Sequence, residues 1–203
     1  MTPFRRLIDI LSAFVLGTVL MPLILWVTLL LLFKEGRPLL YKAERMKTPD
    51  KAFLLWKFRT MRPDDGDRGV SGGDKADRIT ETGAMLRRKR LDELPQLWNL
   101  LRGDVSLVGP RPPLRRYVDM YPAIYREVLK SRPGITGLAS VVYHKREEVL
   151  LSRCSTPEET EAVYCRRCIP TKARIDRLYA PNRNICTDFR VMFATVFKKI
   201  KPH

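Results

Sequence analysis

The sequence predicts a mostly helical α/β domain carried behind an apolar N-terminal membrane element. Three observations predict it. Residues 7 to 33 are almost all apolar, and a bilayer crossing needs roughly 20 such residues. From Gly36 the composition becomes that of a soluble domain. Beyond that point short strand-like runs alternate with amphipathic helical stretches. The expected organisation is a membrane element over 1–35 and a globular domain over 36–203.

The apolar segment is too long for a secretory signal, and no small-residue cleavage site precedes the globular part, so it should stay attached. Arg5 and Arg6 precede it, and Lys34 and Arg37 follow it. Basic residues favour the cytoplasmic side, so both flanks are drawn to one face. Pro22 sits near the middle, where it removes a backbone hydrogen bond and breaks or kinks the helix. A re-entrant helix-break-helix satisfies both observations, and a kinked spanning helix fits this segment equally well. Asp9 lies three residues after Arg6, a spacing that lets the two pair near the headgroups.

Pro38 to Lys42 and Ala52 to Met61 read as strands, separated by the turn-rich Lys47-Thr48-Pro49-Asp50. Arg62 to Asp77 is rich in Asp and Gly and reads as a loop. Residues 79–90 and 94–102 read as helices. Leu94, Leu97, Trp98 and Leu101 share one face of the second, and Gly103 stands just past its end. Val105 to Pro113 is extended, with a turn at Gly109-Pro110. Residues 113–130 and 157–179 read as helical, with Pro170 as a break, and Arg132 to Gly137 reads as a loop. In the last helix, about Asp188 to Lys199, Phe189, Met192, Phe193, Val196, Phe197 and Ile200 follow helical spacing. Arg190, Lys198, Lys199 and Lys201 crowd around them. Both a packed core helix and a helix lying in the membrane interface fit that pattern.

Lys and Arg number 38 against 22 Asp and Glu, a formal net charge of +16. Such a balance implies an anionic partner: nucleic acid, an anionic membrane face, or phosphorylated substrates. No helix-turn-helix, zinc-finger or aromatic RNA-binding signature accompanies it, which argues against nucleic acid. The four cysteines do not form a disulfide framework. Cys165 and Cys168 make a CxxC, but with His144 and His203 the only histidines a zinc site is poorly supplied, and packed thiols fit better.

The densest chemistry lies in Arg87-Arg88-Lys89-Arg90-Leu91-Asp92-Glu93-Leu94-Pro95. Two adjacent carboxylates follow four cations, where Pro95 signals a helix start. Cations and a helix N-terminus favour ionised carboxylates and bound phosphate. One carboxylate can then act as a nucleophile while its neighbour holds a divalent metal. An N-terminal cap followed by solvated charges is the plainer reading of the same residues.

The order of motifs resembles the small monotopic phosphoglycosyl transferases, also called the bacterial sugar transferase family. The matching pieces are Arg5-Arg6-Leu7-Ile8-Asp9 ahead of the Pro-broken segment, then Trp56-Lys57-Phe58-Arg59-Thr60-Met61. Arg90-Leu91-Asp92-Glu93-Leu94-Pro95-Gln96-Leu97-Trp98-Asn99 follows, then Gly103-Asp104 through Gly109-Pro110-Arg111-Pro112, then Arg132-Pro133-Gly134-Ile135-Thr136-Gly137. Each motif alone is moderately specific; their joint order is highly specific.

The resemblance implies a re-entrant membrane helix carrying a compact α/β domain, with interfacial amphipathic helices, on the cytoplasmic face of the bacterial inner membrane. It implies transfer of a phosphosugar from a UDP-sugar to polyprenol (undecaprenyl) phosphate, with release of UMP, a covalent enzyme intermediate, and Mg²⁺. On the matching positions, Asp92 is the nucleophile and Glu93 the metal ligand. Lys57, Arg88, Arg90 and Arg111 are candidate phosphate clamps, and Asp176, in Asp176-Arg177-Leu178-Tyr179, supports the metal or an arginine. Arg88 is equally a candidate headgroup contact. Two departures stand out. Met21-Pro22 replaces the frequent Ser-Pro at the membrane break, and Leu138 to Arg146 replaces a tract expected to face sugar or nucleotide. The competing reading is a basic, membrane-anchored module binding nucleic acid or anionic lipid. It leaves Asp92-Glu93 and Arg111 in their joint order unexplained.

Overall fold

A computed structural model describes residues 2–62 and 77–196, the side chain of Val196 excepted. The expected loop over Arg62 to Asp77 therefore lies mostly outside the described residues. So do Phe197, Lys198, Lys199, Ile200 and Lys201 of the expected last helix. The chain divides into two compact units. Among the described residues, one comprises 2–44, 54–62 and 77–104, the other 45–53 and 105–196.

The first unit begins with α1 (Pro3–Val19) and α2 (Met21–Lys34), bent by 61° at their junction. Thr2 caps α1, and Pro22 stands in the first turn of α2, where its missing N–H costs no helical bond. Neither helix alone is long and apolar enough to cross a membrane; the bent pair together passes that test. One face of α2 is buried: Val27 and Leu31 pack with Phe58 and Leu86, and Leu91 and Leu94 join that cluster. The remaining surface of the pair is apolar and bare, with Phe14 71 % and Phe33 83 % exposed. So much contiguous exposed apolar surface is untypical of a water-facing helix.

Strands β1 (Leu40–Met46) and β2 (Ala52–Phe58) form a hairpin whose turn is closed by Lys47 N–H donating to Lys51 O at 2.8 Å. Met61 bridges Ile79, which joins the two ends of the undescribed segment. The expected helix over 79–90 is α3 (Glu81–Arg88), started by Thr80 Oγ1 accepting from Gly83 N–H. The expected helix over 94–102 is α4 (Gln96–Arg102), which packs on α1 and ends at Gly103 in the left-handed region, φ 76°. Glycine takes that conformation without the Cβ penalty.

In the second unit, β3 (Ser106–Val108) pairs in parallel with β4 (Gly134–Thr136), in register Ser106 to Gly134 and Val108 to Thr136. Arg132 to Gly137 was expected as a loop. Three residues are too few to show period-two alternation, and β4 depends on its partner for its hydrogen bonds. A Cβ on Gly134 would collide with the backbone of Gly109, so the close approach of these segments requires glycine there.

The expected helix over 113–130 is two, α5 (Arg115–Met120) and α6 (Pro122–Val128), because Pro122 displaces Tyr121 from helical geometry. The helix α7 (Leu138–Leu151) follows β4 and contains the departing tract Leu138 to Arg146. After α8 (Pro157–Val163) comes a π-helical turn, Tyr164–Cys168, and then α9 (Ile169–Asn182). Pro170 therefore does not end the helix; it stands in the first turn of α9, directly after the π turn. The core gathers Met46, Tyr117, Val118, Tyr125, Val128, Ile169 and Ala173. Cys165 and Cys168 are packed thiols, and burial pushes Cys168 up to about 11.

The last helix, α10 (Ile185–Val196), buries Val191 and Ala194 and leaves Ile185, Phe189 and Phe193 exposed in an i, i+4, i+8 stripe. The buried pair fits a packed core helix, and the exposed stripe is apolar.

Candidate active site

In the first unit the site is built on the turn between α3 and α4. Arg90 has φ 56°, a conformation rare outside glycine, and it reverses the chain after α3. A 3-10 turn, Leu91–Glu93, follows. Residues three apart eclipse in such a turn. Leu91 and Leu94 accordingly pack together toward Val27 and Leu31, while the intervening Asp92 and Glu93 are held by this apolar footing. Asp92 is only 8 % exposed.

Lys57 comes from β2. It shares strand parity with buried Leu55, so alternation turns its cation inward. Its Nζ donates to Glu93 Oε1 at 2.8 Å. Arg90 NH1 lies 3.7 Å from Glu93 Oε2, longer than a hydrogen bond. Burial holds the Asp92 carboxyl above the usual range. Lys57 is the largest influence pulling it down, Glu93 pushes it up, and Arg87 pulls it down further.

Arg87 is a residue the sequence reading passed over. It donates from Nε to Thr60 Oγ1 at 2.9 Å and approaches Met61 Sδ, which points it across to the segment after β2. Its neighbour Arg88 is exposed. In a run of four cations no sequence signal separates the inward-facing one from the others; the register of α3 does.

Two arginines fix the frame. Arg6 donates to the carbonyls of Leu100 and Leu101 at 2.7 and 2.5 Å, rather than to Asp9, capping the C-terminus of α4. Arg59 donates to the carbonyls of Glu35 and Gly36, capping α2. Unsatisfied carbonyls and the negative helix end both favour a cation there.

In the second unit a pocket is lined by Arg45, Arg111, Tyr117, Tyr164, Lys172 and Asp176, among others. Lys172 and Asp176 are one helical turn apart on α9, the i, i+4 spacing that places them on one face. Lys172 Nζ donates to Glu147 Oε1 and Oε2 at 2.9 and 3.1 Å and lies 5.2 Å from the Tyr164 ring centroid. Burial would lower Lys172, but Tyr164 and Glu147 more than offset this and hold it above its ordinary value. Burial pushes the Asp176 carboxyl up to about 7, against the pull of Lys172 and of the Ala139 N–H at the start of α7. Tyr179 parts from Asp176 and donates to Asp188 Oδ1 at 2.7 Å. Lys172, Glu147 and Tyr164 were not singled out in the sequence. The Lys172–Asp176 spacing was a usable signal; Glu147, 25 residues earlier, carried none.

Residues 1–202 of the chain match the family described as bacterial sugar transferase. It is 35 % identical over 205 residues to the exopolysaccharide production protein PSS of Rhizobium leguminosarum bv. phaseoli, covering 97 % of this chain and 94 % of that one. It is 30 % identical over 199 residues to the UDP-glucose:undecaprenyl-phosphate glucose-1-phosphate transferase of Klebsiella pneumoniae, covering 96 % of this chain and 40 % of that enzyme. The UDP-N-acetylgalactosamine-undecaprenyl-phosphate N-acetylgalactosaminephosphotransferase of Aeromonas hydrophila is 35 % identical over 145 residues, 68 % of this chain and 34 % of that enzyme. The chain thus spans well under half the length of these last two relatives.

Proposed function

We propose that this chain, which belongs to the bacterial sugar transferase family, moves a phosphosugar from a UDP-sugar to polyprenol phosphate at the cytoplasmic face of the bacterial inner membrane. The observation that carries the reading is the buried Asp92 beside Glu93, with the Lys57 ammonium 2.8 Å from Glu93 Oε1. An Asp92 carboxylate oxygen attacks the phosphorus bonded to the sugar. The bond from that phosphorus to the bridging oxygen breaks, and UMP leaves with the electron pair. The acyl phosphate that remains is a mixed anhydride. An oxygen of polyprenol phosphate then attacks the same phosphorus, and the Asp92 carboxylate leaves unchanged. Two displacements let two dissimilar substrates use one nucleophile in turn.

Lys57 has two tasks in this scheme: it favours the ionised Asp92, and it offsets phosphate charge as the bridging bond breaks. Arg87 supports the first task. Arg90 and Arg111 are candidate phosphate clamps, since a guanidinium can hold two phosphate oxygens at once. Arg88, exposed on α3, suits a headgroup or substrate anion. The pocket with Arg111, Lys172 and Asp176 suits an anionic group of the donor.

The donor set fits a hard divalent cation. Mg²⁺ takes one or two protein carboxylates and otherwise binds phosphate oxygens and water, so no larger acidic cluster is required. Glu93 would hold it beside the Lys57 ammonium. When bound, such an ion would offset charge on the diphosphate.

The 61° bend at Pro22 and the basic residues on both flanks support a re-entrant, monotopic placement of α1 and α2. The exposed phenylalanines of α10 support contact with membrane lipid. Cysteines introduced at residue 2 and just after residue 36 should be labelled from the same side; labelling from opposite sides would establish a spanning helix.

The reaction is tested without the acceptor. Enzyme and UDP-sugar alone should release UMP, and the protein's mass should rise by one phosphosugar. Asp92→Asn should abolish both, a loss of roughly 10⁴-fold in turnover, or about 5 kcal/mol. UMP appearing only when lipid acceptor is present would replace this scheme with direct displacement.

A further inference from the structure

Asn99 is 0 % exposed, in the middle of α4. Its carboxamide faces the edge of β2. Nδ2 donates to Leu54 O at 2.8 Å, and Oδ1 accepts from Trp56 N–H at 3.0 Å. Nδ2 also lies 3.3 Å from Asp104 Oδ2. The other edge of β2 is taken by β1 in a two-stranded sheet. One side chain therefore satisfies a donor and an acceptor on the strand's second edge, as a further strand would.

The position of this bond pair has a consequence. Trp56 immediately precedes Lys57 in β2, and α4 directly follows the turn that carries Asp92 and Glu93. Lys57 meets Glu93 at 2.8 Å. A closed circuit results: β2 backbone, Lys57, Glu93, Pro95, α4, Asn99, and back to β2. Lys57 closes the circuit at one point and Asn99 closes it at the other. Lys57 has a long, flexible stem that cannot by itself set the spacing of strand and turn. A short amide with two fixed hydrogen bonds can. One alternative is that Asn99 only pairs buried backbone groups, a role that would affect stability without touching Lys57.

We propose that Asn99 is a positioning residue: it fixes strand β2 against α4 so that the Lys57 ammonium meets the Asp92–Glu93 turn. This rests on the transferase reading, in which Lys57 serves the reaction. Asn99 touches no reacting atom and acts through Lys57.

The test is a double-mutant cycle on turnover, with Asn99→Ala and Lys57→Met made singly and together. Residues that act through one another show non-additive losses; independent ones multiply. In otherwise wild-type enzyme, Asn99→Ala should lower kcat by roughly 30-fold with KM for the UDP-sugar changed less than about threefold. In the Lys57→Met background the same substitution should cost about threefold or less. Hydrogen exchange at the Trp56 amide should accelerate in Asn99→Ala while the amides of α1 and α2 keep their protection. Asn99→Asp is isosteric and keeps an acceptor for Trp56 N–H, and it takes the place of the alanine variant if that does not fold. Its loss should also shrink in the Lys57→Met background. Equal fold-losses in both backgrounds, or an unchanged kcat in a folded Asn99 variant, would overturn the proposal. Absence of UMP release from wild-type enzyme would remove the transferase reading itself, a result separate from either outcome of the cycle.

Discussion

Each unit of the molecule places an aspartate, buried Asp92 and half-buried Asp176, near a lysine–glutamate ion pair. In the first, Asp92 lies near Lys57–Glu93, paired at 2.8 Å; in the second, Asp176 lies near Lys172–Glu147, paired at 2.9 Å. Burial raises both aspartates and the lysine pulls both back. The supports differ. Asp176 and Lys172 sit on one regular helix, one turn apart, and both line one pocket. Asp92 stands on a short 3-10 turn behind a residue of positive φ, with its glutamate as the next residue. Similar charges therefore serve different ends. One carboxylate lines a pocket from a regular helix; the other stands on a turn behind a residue of positive φ, on an apolar footing. Functional sites tend to store strain in this way.

The largest expected difference between the two regions is in turnover. Lys57→Met should lower kcat by roughly 10²-fold, whereas Lys172→Met should act mainly on KM, by about tenfold or less. The acidic limb of the rate profile should also move to higher pH in Lys57→Met, because Lys57 is the main influence favouring ionised Asp92. Equal effects on kcat from both lysines would erase the contrast.

Backbone crowding should separate the units next. Gly134→Ala forces a Cβ into the Gly109 backbone, so a loss of about 3 kcal/mol is expected in the thermal or denaturant midpoint. Gly103→Ala meets a left-handed φ and the Arg6 guanidinium at 3.0 Å, side-chain atoms rather than backbone, for about 1 kcal/mol. A reversed order would show that the β3–β4 approach is looser than its geometry.

The smallest effect sharpens the comparison of the two acids. An aspartate raised in the native state contributes stability at low pH that is lost as pH rises through its native value. Asp176→Asn should therefore gain stability over wild type between about pH 4, the ordinary carboxylate value, and about pH 7, with no further gain above. Asp92→Asn should gain in the same sense, starting from the ordinary carboxylate value. Thermal midpoints at pH 5 and pH 8 measure both. A flat profile for Asp176→Asn would mean that its carboxyl is solvated.

Much of this was legible because it is local. The break at Pro22 follows from a missing N–H, the end of α4 at Gly103 from a missing Cβ, and the adjacency of Asp92 and Glu93 from the chain itself. The apolar segment and the ordered motifs of the family are likewise one-dimensional patterns. The places where the reading departed are those where one segment borrows bonds from another. β4 is a strand only through β3. Arg6 could have paired with Asp9 by spacing, yet the carbonyls at the end of α4 compete successfully for it.

The sequence by itself therefore determined the apolar N-terminal segment, the cationic surroundings, the family and the pair of neighbouring carboxylates. Only the tertiary structure decided which cation serves them. Lys57 lies 36 residues before Glu93, and nothing in that separation predicts a 2.8 Å contact. Arg87 rather than Arg88 turns inward because Leu86 and Met85 pack α3 with the α2 cluster, which fixes the rotation of the helix. Glu147 reaches Lys172 because α7 packs on α9. Propensity and periodicity act over a few residues, whereas packing chooses among equivalent charges across the whole chain. The physical reason is burial: a charge withdrawn from water must find a partner, and only the folded chain specifies which one is within reach.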